Sequence, residues 1–217
     1  EGAPNRMLIG GHQAIGIAKL HAGCVLQTYY PIAPASDESV YLEQLQSDWP
    51  IVVLQAEDEI ASMNMAVGAA HAGVRAATST AGPGFTLMAE GIGFASITEA
   101  PGPVVVLYQR GGPSTGLPTR TSQQDLRFAL QPGHGEFPHV VIAPGTVEES
   151  ARYTHLAFNW GDRYQLPVVV LVDKVLANSH FTADNLGLDG LAVDRGELWA
   201  GPADDTQPYL RHRITES

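Results

Sequence analysis

The sequence predicts an α/β fold, a mostly parallel sheet with helices on both faces. Three observations carry it. Two uninterrupted apolar runs, Pro103 to Tyr108 (PVVVLY) and Pro167 to Val172 (PVVVLV), have the composition of strands covered on both sides. Stretches with helical spacing alternate with such runs. Turn residues stand between the two kinds, as a strand–helix–strand chain requires.

The elements follow in order. His12 to Ala22 reads as a helix ended near Gly23, and Cys24 to Tyr30 as a strand stopped by Pro31 and Pro34. Ser36 to Leu45 reads as a helix with Ser36 as N-cap. Ile51 to Gln55 (IVVLQ) reads as a buried strand. Ile60, Met63, Val67 and Ala70 recur at helical spacing within Glu57 to Ala72, and Gly73 supplies a stop. Val74 to Ser79 is a short strand, and Gly82-Pro83-Gly84 turns into a helix reaching Ile97. After the PVVVLY strand comes a glycine-rich loop, Gln109 to Thr121. Val140 to Ala143 is a strand, and Thr146 to Glu149 fits a capping box for a helix to Tyr164. PVVVLV is the last strand. The reading places one domain at 1–180 and a linker or tail at 181–217, leading toward a further domain. The ends of the sequence suggest a piece of a longer polypeptide.

Composition narrows the function. Twelve Lys and Arg against 23 Asp and Glu give a net charge of −11, which argues against nucleic-acid binding and against docking on an anionic membrane. Cys24 is the sole cysteine, so no internal disulfide and no CxxC cluster motif exists. A cytoplasmic location fits. No apolar run approaches the ~20 residues of a membrane span. The eight histidines lack metal-ligand spacing.

In open parallel sheets ligands gather beyond the carboxyl ends of the strands, so the loops there matter most. Glu57-Asp58-Glu59 follows IVVLQ. Glu57 and Asp58 read as acids favoured by a helix N-terminus. For Glu59 two readings stand: the same dipole role, or an inward, desolvated carboxyl with raised pKa, poised for proton chemistry. Gly82-Pro83-Gly84 is either a tight turn or an approach to an anion. In Arg110-Gly111-Gly112-Pro113-Ser114-Thr115-Gly116 the guanidinium suits a carboxylate, and Ser114, Thr115 and Thr119 add hydroxyls; a structural loop with a surface ion pair is the alternative.

These segments resemble a known family. Tyr30-Pro31-Ile32-Ala33-Pro34-Ala35-Ser36-Asp37-Glu38-Ser39, Gln55 to Ala61, Thr80 to Phe85, the string RGGPSTGLPTRT from Arg110 to Thr121, and Gly133 to Pro138 are similar, in order, to the α part of 2-oxoacid:ferredoxin oxidoreductases. The form of the first segment is most similar to the broad-specificity and 2-oxoglutarate members. The resemblance implies the pyrimidine-binding fold of thiamine diphosphate enzymes. It implies that Glu59 hydrogen-bonds N1′ of the aminopyrimidine, with Pro31, Ile32, Gly82 and Pro83 around the cofactor. The 4′-imine so favoured would remove the thiazolium C2 proton. It implies that Arg110 pairs with the substrate carboxylate, with Thr119, Ser114 and position 33 nearby. Ala33 departs from the usual threonine, Gly11-His12 from Gly-Asn, and Ala81 from serine.

The sequence has no GDG segment with a distant Asn for magnesium and diphosphate, and no cysteine set for a cluster. The resemblance therefore implies a β subunit carrying Mg²⁺ and a [4Fe–4S] cluster, an αβ or (αβ)₂ heteromer, and coenzyme A, ferredoxin and pyruvate or 2-oxoglutarate as reaction partners. Two alternatives remain at this point: another thiamine diphosphate enzyme, which would not need RGGPSTGLPT, and a non-catalytic module, which Ala33 favours.

Overall fold

The computed structural model describes residues 6–199, 201, 211 and 212. The elements run β1 (Met7–Gly10), α1 (Gly11–His21), β2 (Cys24–Tyr29), α2 (Ser36–Leu45), β3 (Val52–Gln55), α3 (Glu59–His71), β4 (Arg75–Ala81) and α4 (Gly82–Ile97). Then come β5 (Val104–Gln109), α5 (Leu126–Leu130), β6 (Val140–Ile142), α6 (Val147–Tyr164), β7 (Val168–Asp173), α7 (Lys174–Asn178) and β8 (His180–Ala183).

Six strands form one parallel sheet in the order β3-β2-β4-β5-β7-β6. The runs PVVVLY and PVVVLV are its centre, paired in register from Val104↔Val168 to Tyr108↔Val172. Their side chains alternate between two cores, as strand geometry requires. Val104, Val106, Val168 and Val170 meet Ile15 of α1, Leu42 of α2 and Phe158 of α6. Val105, Leu107, Val169 and Leu171 meet Met63 and Val67 of α3 and Phe85, Met88 and Ile92 of α4. This double cover explains why these strands lack polar alternation.

The order also creates a crevice. From β2 the chain moves outward to β3, then returns across β2 to β4. The helix after β2 lies on the first face and the helix after β4 on the second. The carboxyl ends of β2 and β4 therefore diverge, which is where ligands sit in open parallel sheets.

Below that edge the sheet carries a closed polar cluster. Lys19 Nζ donates to Gln27 Oε1 (2.8 Å) and Ser79 Oγ (3.0 Å) and forms an ion pair with Glu38. Glu38 Oε2 accepts from Ser79 Oγ (2.8 Å) and from Tyr108 OH (2.7 Å). Burial, then the neighbouring Glu38, hold the Tyr108 hydroxyl well above its usual range.

Several sequence expectations are corrected here. IVVLQ is not a buried strand, because β3 is the sheet edge and Val52 is 55% exposed. Ile60 faces outward at 49% exposure, so the buried apolar stripe of α3 begins at Met63. Ser36 is not an N-cap; Ala35 holds that position in αR geometry, without a side-chain cap. The helix expected from Glu57 starts at Glu59, because Asp58 caps it by accepting from Ala61 N at 2.7 Å.

PVVVLV is not the last strand: after Asp173 the chain forms α7 and then β8. Asp173 caps α7 by accepting from Leu176 N at 2.8 Å. β8 pairs antiparallel with β1, a strand the alternation did not reveal because it is four residues long. Residues 181–199, read as the start of a linker, pack on the body: Ala183, Leu186 and Leu188 join Ile9, Ala14 and Val147 in a third apolar cluster. Arg75 Nη2 donates to the Asp194 carbonyl (2.7 Å), and Arg195 Nε pairs with Asp162 (2.6 Å). Most of the expected remainder, 202–217, lies outside the described residues.

Among the described residues no helix is long and apolar enough to cross a membrane, and no group of three or more His, Cys, Asp or Glu is placed to hold a metal ion.

Candidate functional site

Glu59 is the first residue of α3, at the carboxyl end of the sheet. Asp58 takes the capping role, which leaves the next carboxylate free of it. Helix geometry turns Glu59 inward, to 6% exposure. Burial, then the charge of Asp58, push its pKa upward against a lowering backbone hydrogen bond. Apart from the N–H of its own backbone, no hydrogen-bond partner among the described residues meets its carboxylate. Glu57 is exposed and takes no part.

Gly84 stands directly against Glu59. A Cβ at Gly84 would overlap Thr80 Oγ1 and lie 2.5 Å from Glu59 Oε1. The third residue of Gly82-Pro83-Gly84 is thus a glycine because a carboxyl occupies the space. Pro83 fits the first turn of α4, where its missing N–H costs nothing.

Arg110 follows β5 and is 5% exposed. Its Nη1 donates to the Ala33 carbonyl (2.7 Å) and its Nη2 to the Thr115 carbonyl (2.8 Å). The first bond ties the β2 loop to the β5 loop across the crevice. Nε is buried and has no partner. Burial lowers the Arg110 pKa, and Asp125 nearby opposes that. The alternative of a surface ion pair fails, since the group is neither exposed nor paired.

The glycine-rich loop closes on itself to build this. Leu117 N donates to the Gly111 carbonyl (2.7 Å), and Gly116 takes a φ of +60° where a Cβ would collide with that same carbonyl. Ser114 adopts a φ of +54°, an uncommon backbone for a residue with a side chain. The Ala33–Pro34 and Gly112–Pro113 peptide bonds are cis.

Gly82, Pro83, Arg110, Ser114 and Asp125 line one cavity of about 180 Å³. Pro31 and Ala33 are exposed on the neighbouring loop, with Ile32 half-buried. Thr119 is not in that cavity. It is exposed and lines a separate one of about 350 Å³ with Arg120, Lys174 and Asn178. A larger hollow of about 440 Å³, lined by Phe94, Ile97 and Phe137, lies at the far end of α4, away from Glu59 and Arg110. The Gly133 to Pro138 segment belongs to that hollow.

Sequence reasoning missed Asp125, which sits in TSQQDL without any flanking signal. Cys24 is not a nucleophile candidate, since burial pushes its thiol up to about 12.

Comparison with known proteins identifies the family. Residues 17–192 match the family model described as pyruvate flavodoxin/ferredoxin oxidoreductase, thiamine diphosphate-binding. The chain is 50% identical to the α subunit of 2-oxoacid:ferredoxin oxidoreductase 1 from Sulfurisphaera tokodaii, over 89% of this chain and 33% of that subunit. It is 42% identical to 2-oxoglutarate synthase subunit KorA from Archaeoglobus fulgidus, over 79% of this chain and 49% of that one. The structure of 2-oxoglutarate:ferredoxin oxidoreductase from Magnetococcus marinus, with 2-oxoglutarate, coenzyme A and succinyl-CoA bound, superposes with a TM-score of 0.87 at 37% identity. That match covers 90% of this chain and 34% of that chain. The chain thus spans about a third of the archaeal α subunit and of the solved chain. On fold, motif order and these matches together, the chain belongs to the pyruvate flavodoxin/ferredoxin oxidoreductase family and is its thiamine diphosphate-binding domain.

Proposed function

We propose that this chain is the aminopyrimidine-binding part of a 2-oxoacid:ferredoxin oxidoreductase α subunit. The complete enzyme would carry out coenzyme A-dependent oxidative decarboxylation of pyruvate or 2-oxoglutarate. The observation that carries this reading is the pair of buried, incompletely partnered groups at one sheet edge, Glu59 and Arg110. A purely structural domain has no use for either.

The chain fits thiamine diphosphate. Glu59 is a buried acid with its pKa raised and no partner beyond its own backbone N–H, and Gly84 leaves room for its carboxyl. Glu59 would hold the ring nitrogen N1′, with Pro31, Ile32, Gly82 and Pro83 beside the ring. When bound, the cofactor supplies a nucleophilic carbon and an electron sink for loss of carbon dioxide. Glu59, by holding a proton against N1′, sets the protonation state of the ring. Arg110 offers its free Nε–H to the 2-oxoacid carboxylate, a charge-assisted bond worth about 1.5–3 kcal/mol.

Ala33 does not speak for a non-catalytic module. It holds Arg110 through its main-chain carbonyl, which any residue supplies. The hydroxyl that a threonine would add is worth about 0.5–1.5 kcal/mol, a loss the site can absorb. Magnesium, the diphosphate site and a [4Fe–4S] cluster belong on a β subunit in this reading. Ferredoxin is the electron acceptor, and the assembly is αβ or (αβ)₂ in a cytoplasmic setting.

The test is 2-oxoacid-dependent viologen reduction by the complex of the full α subunit with its β subunit, with coenzyme A, comparing pyruvate, 2-oxobutyrate and 2-oxoglutarate. Glu59→Gln should abolish it. A complex with intact clusters that is inactive toward all three acids would refute the reading.

A further inference from the structure

Asp125 immediately precedes α5, where an aspartate ordinarily accepts a hydrogen bond from the helix's own first-turn N–H groups. It does not do so here. Its side chain turns away, to the start of α4: a Cβ on Gly82 would lie 3.0 Å from Asp125 Oδ1 and 3.2 Å from Oδ2. Oδ2 is buried and has no partner. In the same cavity Arg110 Nε is also buried and unpartnered, although the two groups form no ion pair. A carboxyl that gives up its cap and still finds no internal partner has a geometry that a ligand can complete.

We propose that Asp125 is a further substrate-binding residue, donating a hydrogen bond from its protonated carboxyl to the carboxylate that Arg110 holds. This rests on the proposed role of Arg110. A 2-oxoacid offers only acceptors on its carboxylate and ketone, so an ionised Asp125 would repel it and only the acid form can bind. Burial supports that form by raising the Asp125 pKa, with the charge of Arg110 opposing. The groups facing Asp125 are few. Arg110 approaches from β5, and the glycine-rich loop adds the uncharged Ser114. From α4 come Gly82, Pro83 and Thr86, none of which titrates. Arg127, on its own helix, is exposed.

The sign follows. Below the pKa of free Asp125 its proton is already in place, and affinity for the 2-oxoacid is independent of this group. Above that pKa a proton must be taken up from solvent on binding, so KM rises toward tenfold per pH unit.

The test is the pH dependence of KM for pyruvate and 2-oxoglutarate between pH 6 and 9, in the assembled complex. Wild type, Asp125→Asn and Asp125→Ala would be compared. Asp125→Asn keeps a donor that does not titrate; its KM should be flat with pH, and wild type should converge on it as pH falls. Asp125→Ala should also be flat, but with KM raised about tenfold or more at every pH. Calorimetric titration with 2-oxoacid in two buffers of different ionisation enthalpy should show proton uptake in wild type and none in Asp125→Asn, a readout that survives a loss of turnover. A wild-type slope retained in Asp125→Asn, or identical KM values for the Asn and Ala variants, would overturn the assignment while leaving the enzyme reading intact. A wild-type complex that neither binds nor turns over any 2-oxoacid would overturn both.

Discussion

Lys19 and Glu38, inside the sheet, are both 0% exposed, and their charges are closed on each other, Gln27, Ser79 and Tyr108. Glu59 and Arg110, at its carboxyl edge, are 6% and 5% exposed, yet Glu59 meets only its own backbone N–H among the described residues and Arg110 keeps a bare Nε. Both pairs suffer nearly the same loss of water. Only the inner one recovers it within the protein. Burial of charge alone therefore does not mark a site. Burial left incompletely paired, at the strand ends, does.

The comparison breaks most visibly at the inner pair. Lys19→Met removes one partner and leaves Glu38 buried and uncompensated, which should cost about 3–5 kcal/mol. Urea denaturation of the chain checks this, and a change within error would mean the inner cluster is not closed as described. Gly84→Ala acts between the two regions. The added Cβ must displace Glu59 or Thr80, an overpacking cost of about 1–3 kcal/mol. Weaker binding of thiamine diphosphate to the assembled enzyme should accompany it, measured by cofactor titration.

The smallest effect on stability belongs to Glu59→Gln. Because the folded-state pKa of Glu59 is raised, the acid's relative stability is full below its unfolded value of 4.5 and is lost as pH rises through the folded value. Wild type and variant should thus diverge with rising pH, the glutamine form becoming the more stable at pH 7 by up to about 1 kcal/mol. Thermal unfolding at pH 4 and pH 7 measures the difference. A variant less stable at pH 7 would place Glu59 among the structural charges.

Much of this was legible in the sequence, for physical reasons. PVVVLY and PVVVLV announce a central parallel strand pair because double burial removes all alternation. Glu59 and Arg110 stand out because each lies in a segment that leaves the carboxyl end of a strand, where the fold gathers ligands. IVVLQ misled because the same apolar run serves an edge strand, and only the strand order tells the two apart. The partner of Arg110 was hidden for a different reason: it is the Ala33 carbonyl, and main-chain acceptors leave no trace in side-chain identity. Asp125 was hidden because it is 15 positions from Arg110 in a stretch without periodicity, and the loop between them brings it back. Thr119 illustrates the converse. Its place in the string RGGPSTGLPT suggested proximity to Arg110, but the bridge between Gly111 and Leu117 turns the following residues toward α7.

The most direct test of the central claim, that the open carboxyl at the start of α3 exists for the cofactor, is the rate of deuterium exchange at C2 of thiamine diphosphate bound to the assembled enzyme, wild type against Glu59→Gln. The account predicts a fall of about 10²–10⁴ in the variant, with the fold retained. An unchanged exchange rate would contradict it.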